Sequence, residues 1–433
     1  MGIFGKIKKE NSNDVLLVQI YCKAMNCVIT DFGMRQSSVF TYAQNWIDNP
    51  EGYDLSPFMP RSQIVASASL QGNSSPLVMP IADSTPDSWG RAIMRAANGG
   101  RVMNDFEYLI GVDDFLRSGA LRFYESDTPD ALPLAQPRIG ERAYSIPRLI
   151  ELETMIHEAR ALEADPTHYR ENRAKLLAGQ ILLDAAGSLG GARPKVNVRE
   201  DDQTIWIAKL PKMGDEYDIA RAEVLTLRLA GEIGMTVSEA KLLVVAGQFP
   251  VALIKRFDRS YEDPKNPRRI HFITAQTFMG LAGTEPSNYV SLAEQMLIHG
   301  AGDDLVELWT RMAYSVLIQN TDDHLRNHGF IRTANRWALS PAYDINPDPS
   351  IGGTLKTAIS EIHGNELKIL EVLDAAQLFN INTDEAREAL RVMAEIIIDK
   401  WRPLAYELGM TSKDIKALAP AFESPQVKEA LSL

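Results

Sequence analysis

Cysteine and histidine are scarce, with two and seven copies respectively in 433 residues. Cys22 and Cys27 sit in the apolar stretch VLLVQIYCKAMNCVI with neither CxxC spacing nor nearby histidines, which excludes a zinc ribbon and a disulfide framework. Both read as small core residues in a reducing compartment. Positive charge is also short. Forty-five basic against fifty-seven acidic side chains leave a net charge of −12, which opposes field-driven attraction to nucleic acid or an anionic membrane. No apolar run approaches the roughly 18 residues needed to span a bilayer. The longest candidate, LLVVAGQFPVALI, is broken by Gly and Pro, and the N-terminal MGIFGKIKKENSND lacks the apolar segment of a secretory signal. The expectation is a soluble, cytoplasmic protein with no membrane partner. Internal repeats, low-complexity tracts, a GK[ST] ending and a GxGxxG fingerprint are absent as well.

What is present is an ordinary globular composition, 45% hydrophobic and 24% charged, in a chain long enough for two or three compact units. Short β-branched runs over residues 13 to 32 predict a small mixed sheet, and IADSTPDSWGRAIMRAA predicts a helix with Pro86 near its first turn and Ser84 or Asp87 as cap. Three prolines make Ser126 to Arg138 the linker. Helices are expected from Leu149 to Leu162 and from about Arg170 to Ala186. The period then shortens to two: PKVNVRE and TIWIAKLP around DDQ form one hairpin, KLLVVAG and FPVALIKRFD a second, with a helix closed by Gly234 between them. From Ala275 onward the pattern is mostly helical. The expected domains are 1–135, a mixed N-terminal subdomain; 136–258, a strand-rich small lobe; and 259–433, a helical C-terminal lobe. The expected fold class is α+β, laid out as in protein kinases.

Four constellations carry chemistry. The loop GSLGGARPK, Gly187 to Lys195, reads either as a helix terminator and turn or as a nest of N–H donors for an anion, with Ser188 and Arg193 adding a hydroxyl and a cation. Lys209 ends a strand in alternation with Ile205 and Ile207, so its ammonium either snorkels to solvent or meets an anion, and Glu223 in the next helix is its expected ion-pair partner. In QNTDDHLRNHGFI, Asp322 and Asn327 stand five residues apart, the separation between base and metal-binding amide in the kinase loop HRDxxxxN. His324 and His328, at i and i+4, offer zinc instead, but Leu325 stands where HExxH has its glutamate. Asp344 in LSPAYDINP follows Asp322 by twenty-two residues, where a kinase keeps its second Mg²⁺ carboxylate after a short hairpin, here supplied by Phe330, Ile331, Trp337, Ala338 and Leu339.

These residues, with SLGGARPK, IAKLP, LIKRFDR, NTDDHLRNHGF and SPAYDINP, and DSTPDSWGR and FLRSGALRF nearer the N-terminus, resemble the HipA family of serine/threonine kinases, toxins of bacterial toxin–antitoxin pairs. The resemblance implies phosphoryl transfer from ATP and Mg²⁺ to a protein serine. It makes Asp322 the catalytic base, Asn327 and Asp344 the Mg²⁺ ligands, and Ser188 the autophosphorylated serine. It places Gly190, Gly191, Ala192, Arg193, Lys195, Lys209, Lys255, Phe257, His324 and Arg326 with the nucleotide, Lys255 and Phe257 against adenine. The implied partners are a protein substrate, with an aminoacyl-tRNA synthetase as one candidate, and a small helix-turn-helix antitoxin through which alone the protein meets DNA. GGARPK and HFITAQ depart from the family pattern and mark a divergent branch. Two competing functions are a kinase-like binding module that holds an antitoxin as co-repressor, and a metal-dependent nuclease or phosphohydrolase built on Asp322, Asp323 and His324.

Overall fold

The computed structural model describes residues 16–20, 26–30, 37–62, 66–69, 75–124, 133–134, 146–172, 179, 181–182, 185, 187, 191, 193–262, 268–281, 285–333, 336–350 and 352–433. Packing divides the chain into two units. The first comprises Met1–Met213, Asp258–Ile273 and Gly280–Thr284, the second Gly214–Phe257, Thr274–Met279 and Glu285–Leu433. This grouping differs from the three parts expected from sequence, because the two predicted hairpins fall in different units. The expected linker lies outside the described residues apart from Pro133 and Leu134.

In the first unit, β1 (Leu16–Ile20), β2 (Asn26–Thr30), β3 (Ser37–Thr41), β4 (Ala66–Ser69) and β5 (Leu121–Tyr124) form an antiparallel sheet in the order β4-β3-β2-β1-β5. Its core gathers Phe40, Trp46, Leu55, Ile81, Leu109 and Phe123. The predicted helix runs from Ser88 to Ala97, starting after Pro86 rather than around it. Asp87 stands at its N-cap without capping it; the carboxylate accepts the N–H of Gly191 instead, at 2.6 Å. The first predicted hairpin is β6 (Lys195–Arg199) with β7 (Ile205–Lys209), in register from Lys195 opposite Lys209 to Arg199 opposite Ile205. The helix expected from Leu149 opens as one 3-10 turn and continues from Leu152 to Ala164. The next is described only as Pro166–Asn172 and a few residues beyond.

A buried charge network fastens residues 114 to 122 to the segment 258–269 within this unit. Asp114 accepts from Arg122 at 2.7 Å and from Arg269 at 3.0 Å, while Asp258 accepts the Gly119 N–H at 2.7 Å and Arg259 at 2.9 Å. Arg117 is fully buried and donates to the carbonyls of Leu109 and Val112, and burial pushes its guanidinium down to about 10. For Asp114, burial favours the neutral acid, but Arg269, Arg122 and Arg117 outweigh it and hold the carboxyl below its ordinary value. A carboxyl depressed in the fold contributes stability that is complete above its unfolded pKa of about 4 and is lost as pH falls through the folded one. Asp114→Asn should therefore flatten the acid limb of the stability curve measured by urea unfolding. It should also cost about 3–5 kcal/mol at neutral pH, since buried guanidiniums lose their counter-charge.

The second unit is mostly helical. Its helix Ile219–Ile233 is capped by Asp218, which accepts the Arg221 N–H, and is closed by Gly234 at φ 97°, a left-handed conformation that glycine enters without strain. β8 (Ala240–Val245) and β9 (Phe249–Lys255) form the second predicted hairpin. Two helices, Tyr289–Ile298 and Leu305–Leu317, precede a short hairpin of Gly329–Arg332 with Trp337–Leu339, in which Phe330 pairs with Leu339. Helix Thr383–Glu407 starts at Asn382, whose side chain accepts the Glu385 N–H at 2.9 Å, and passes through Pro403. Burial of Trp401 and Ala405 and stacking of Trp401 on Phe422 at 5.0 Å carry it past that proline. Among the described residues no helix is long and apolar enough to cross a membrane.

Candidate active site

Helix Leu305–Leu317 is buried along most of its length and ends where Gln319 turns the chain at φ 56°. The Gln319 amide anchors that turn by donating to the Pro420 carbonyl at 2.8 Å. The following loop is closed on itself. The Asp322 carbonyl accepts the His324 N–H at 3.0 Å and the Asn327 side-chain amide at 2.9 Å, and the Asn327 N–H donates to the His324 carbonyl at 2.8 Å. A five-residue spacing thus becomes a direct bond between the two positions, and the Asp322 carboxylate stands exposed.

Asp323 points the opposite way. It is 2% exposed, and its carboxylate accepts from the Tyr289 hydroxyl and, at 2.7 Å, from His328 Nε2. Its carbonyl accepts the Thr357 N–H at 3.0 Å. Burial, and then the Asp323 charge beside it, push the Tyr289 phenol well above its ordinary range. His328 engages Asp323 and Tyr289 through Nε2, and its buried Nδ1 finds no partner. Among the described residues no three His, Cys, Asp or Glu side chains converge as for a metal ion. His324 is half-buried, with an Nδ1 that finds no partner.

Asp344 lies on a second, stiffened loop of the same unit. The backbone of Ala342 bonds to Thr236 and Ser238 at 2.8 and 2.9 Å. Thr226 Oγ1 donates to the Ile345 carbonyl at 2.6 Å, Tyr217 to the Pro347 carbonyl at 3.0 Å, and the Asp348 N–H to Gln319 at 3.1 Å. Asp344 itself sits at φ 56°, a left-handed conformation disfavoured for a non-glycine residue and held here by its neighbours. Tyr343 ties this loop to the first by donating to the Arg326 carbonyl at 2.9 Å, one residue from Asn327 and one from Asp344. Its ring lies 5.5 Å from that of Phe257. Lys255 turns its ammonium to Glu239 at 2.8 Å. Glu223 is buried in helix Ile219–Ile233.

Sequence reasoning passed over three residues here. Tyr289 stands 34 positions before the aspartate it bonds. Asn346 donates to Asp344 Oδ1 at 3.2 Å and buries an Oδ1 with no partner. Asp348 accepts from Thr321 at 2.6 Å and from the Ser350 N–H at 2.8 Å; burial raises its pKa, and these hydrogen bonds reverse the effect and leave it lowered. The only local signal for Asn346 and Asp348 is their place in the turn sequence DINPD.

The glycine loop and strand lysines belong to the first unit. Ser188, Gly190 and Ala192 lie outside the described residues. Gly191 takes φ 101°, and a Cβ there would stand 2.7 Å from Lys195 Nζ, so glycine is what lets that ammonium lie against the loop. Lys195 is 7% exposed and faces Lys209 directly across β6 and β7, while its carbonyl accepts from Trp89 at 3.0 Å. Arg193 and Lys209 are half-buried. On the face that Lys209 shares with Ile205 and Ile207, Ile205 is closed off and Ile207 is half-buried; on the other face Trp206 and Ala208 are both closed off.

Residues 187–401 match the HipA-like C-terminal domain. This region of the chain belongs to the HipA family. It is 25% identical over 214 residues to Toxin YjjJ of Escherichia coli K12, covering 46% of this chain and 47% of that one. The Sinorhizobium fredii protein Y4dM, which carries a kinase name, is 31% identical over 159 residues, 32% of this chain and 36% of Y4dM. The matched stretches thus span about half the length of these curated relatives or less. HipA of Shewanella oneidensis MR-1, solved with HipB and operator DNA, superposes with a TM-score of 0.68 over 96% of each chain at 15% identity. The chain therefore has the HipA fold, an α+β, kinase-like architecture.

Proposed function

We propose that this protein transfers the γ-phosphoryl group of ATP to a serine or threonine hydroxyl of another protein, as the toxin of a toxin–antitoxin pair. The observation that carries this reading is the division of labour between adjacent aspartates. Asp323 is buried and fixed by Tyr289 and His328, so Asp322 is presented to solvent from a rigid loop. In the reaction the substrate oxygen bonds to the γ-phosphorus, the bond to the bridging oxygen breaks, ADP leaves, and the hydroxyl proton passes to Asp322. Lys195 and Lys209 suit the phosphates, and Lys255 and Phe257 the adenine. Ser188 is the proposed autophosphorylation position.

Asp344 and Asn327 are hard oxygen donors on two loops tied together beside them, the donor type Mg²⁺ requires, and they would hold the ion. When bound, Mg²⁺ neutralises the phosphate oxygens. The substrate is a protein, with an aminoacyl-tRNA synthetase as one candidate. The Shewanella HipA structure contains HipB and operator DNA, which supports a small DNA-binding antitoxin as partner here; contact with DNA through that antitoxin alone is part of the proposal. Calorimetric titration tests the metal assignment. ATP should bind the wild type at least tenfold more tightly with Mg²⁺ than without, and Asp344→Ala should remove that difference. Absence of ATP binding at millimolar concentration, or an unchanged Mg²⁺ dependence in the variant, contradicts the assignment.

A further inference from the structure

Among the polar groups of the loop Ala342–Asp348, Asn346 Oδ1 stands out as buried without a partner. The carbonyls on either side of it are satisfied, Ile345 by Thr226 and Pro347 by Tyr217. The amide's orientation is fixed by its other end. Nδ2 donates to Asp344 Oδ1 at 3.2 Å, and a flipped amide would set two acceptors against each other with no proton between them. Oδ1 is therefore held as a buried acceptor. Such an oxygen costs stability unless something donates to it or binds it. Its neighbour is a carboxylate on a left-handed backbone, which supplies no donor. What fits an amide oxygen beside a carboxylate oxygen is a hard divalent cation or a water molecule bound to one.

We infer that Asn346 is a positioning residue of the divalent-cation site: its Nδ2 fixes Asp344 Oδ1, and its Oδ1 receives the cation or the cation's water. The inference rests on the kinase reading only in taking Asp344 as a metal ligand. Metal loading supplies that Oδ1 acceptor with the cation or the cation's water, whereas a side chain kept for packing alone would leave metal binding unchanged.

The test uses Mn²⁺ alone as probe, followed by the electron paramagnetic resonance signal of the free ion, with thermal unfolding measured with and without Mg²⁺. Asn346→Leu should weaken Mn²⁺ binding about 10–100-fold, abolish the thermal shift given by Mg²⁺, and melt no lower than wild type without metal. Asn346→Asp keeps an oxygen but sets a second negative charge beside Asp344, so it should retain Mn²⁺ binding and melt lower without metal. Asp344→Ala is the reference. Loss of binding in Asp344→Ala with wild-type binding in Asn346→Leu overturns the inference and leaves the kinase reading standing. Wild-type binding in both variants overturns both. An Asn346→Leu protein that melts lower without metal yet binds Mn²⁺ normally makes Asn346 a packing residue and also overturns the inference.

Discussion

Asp322→Ala lowers the phosphotransfer rate by about 10²–10⁴-fold, the usual contribution of a positioned general base, and changes stability by less than about 0.5 kcal/mol. The two halves of this expectation have separate causes. The carboxylate is exposed, and the bonds that shape the loop run through the residue's backbone carbonyl, which alanine retains. Asn327 therefore keeps its anchor, and the loop keeps its form. Only proton acceptance and orientation of the hydroxyl are lost, so the turnover number should fall while the affinity for Mg·ATP stays near wild type. Paired measurement of initial rates and calorimetric affinity checks both halves. A variant that loses nucleotide affinity as well would show that Asp322 acts on the phosphates rather than on the acceptor.

One residue further on, the same substitution should do the reverse. Asp323→Ala removes the acceptor of two buried donors, the Tyr289 hydroxyl and His328 Nε2. Each hydrogen bond to a charged acceptor contributes roughly 1.5–3 kcal/mol, so the combined loss is about 3–6 kcal/mol. Unfolding in urea should show a large fall in midpoint. Activity should fall too, because the loop that presents Asp322 is fastened from below by this aspartate. Asp323→Asn separates the contributions: it keeps one acceptor oxygen and should recover part of both stability and rate. A stability change below about 1 kcal/mol in Asp323→Ala would remove the structural role assigned to the Asp323, Tyr289 and His328 cluster.

Features carried by short-range chemistry were legible in the sequence. The hairpin β6–β7 follows from alternation around DDQ, and the helix starts at Asn382 and stops at Gly234 follow from cap chemistry that acts within four residues. That Asp322 and Asn327 share one loop was legible for the same reason, since five residues separate them. What escaped depends on contacts between distant positions. Asp87 reads as a helix cap from its neighbours, yet it serves Gly191, 104 residues away. Tyr289 carries no mark of its own in the sequence and gains its role only when Asp323 and His328 fold onto it. Alternation around Lys209 tells which residues share a face and not how far each is covered: Ile205 is closed off, while Ile207 and Lys209 on the same face are half-buried.

The central claim is that this chain moves a phosphoryl group with Asp322 as its base. It is tested most directly by incubating the purified wild type and Asp322→Ala with γ-labelled ATP and Mg²⁺, then mapping the label by mass spectrometry. The predicted result is label on Ser188 in the wild type and at least a hundredfold less in the variant at equal nucleotide occupancy. Label that accumulates in Asp322→Ala at the wild-type rate, or a wild type that binds Mg·ATP and never transfers label, would contradict the claim.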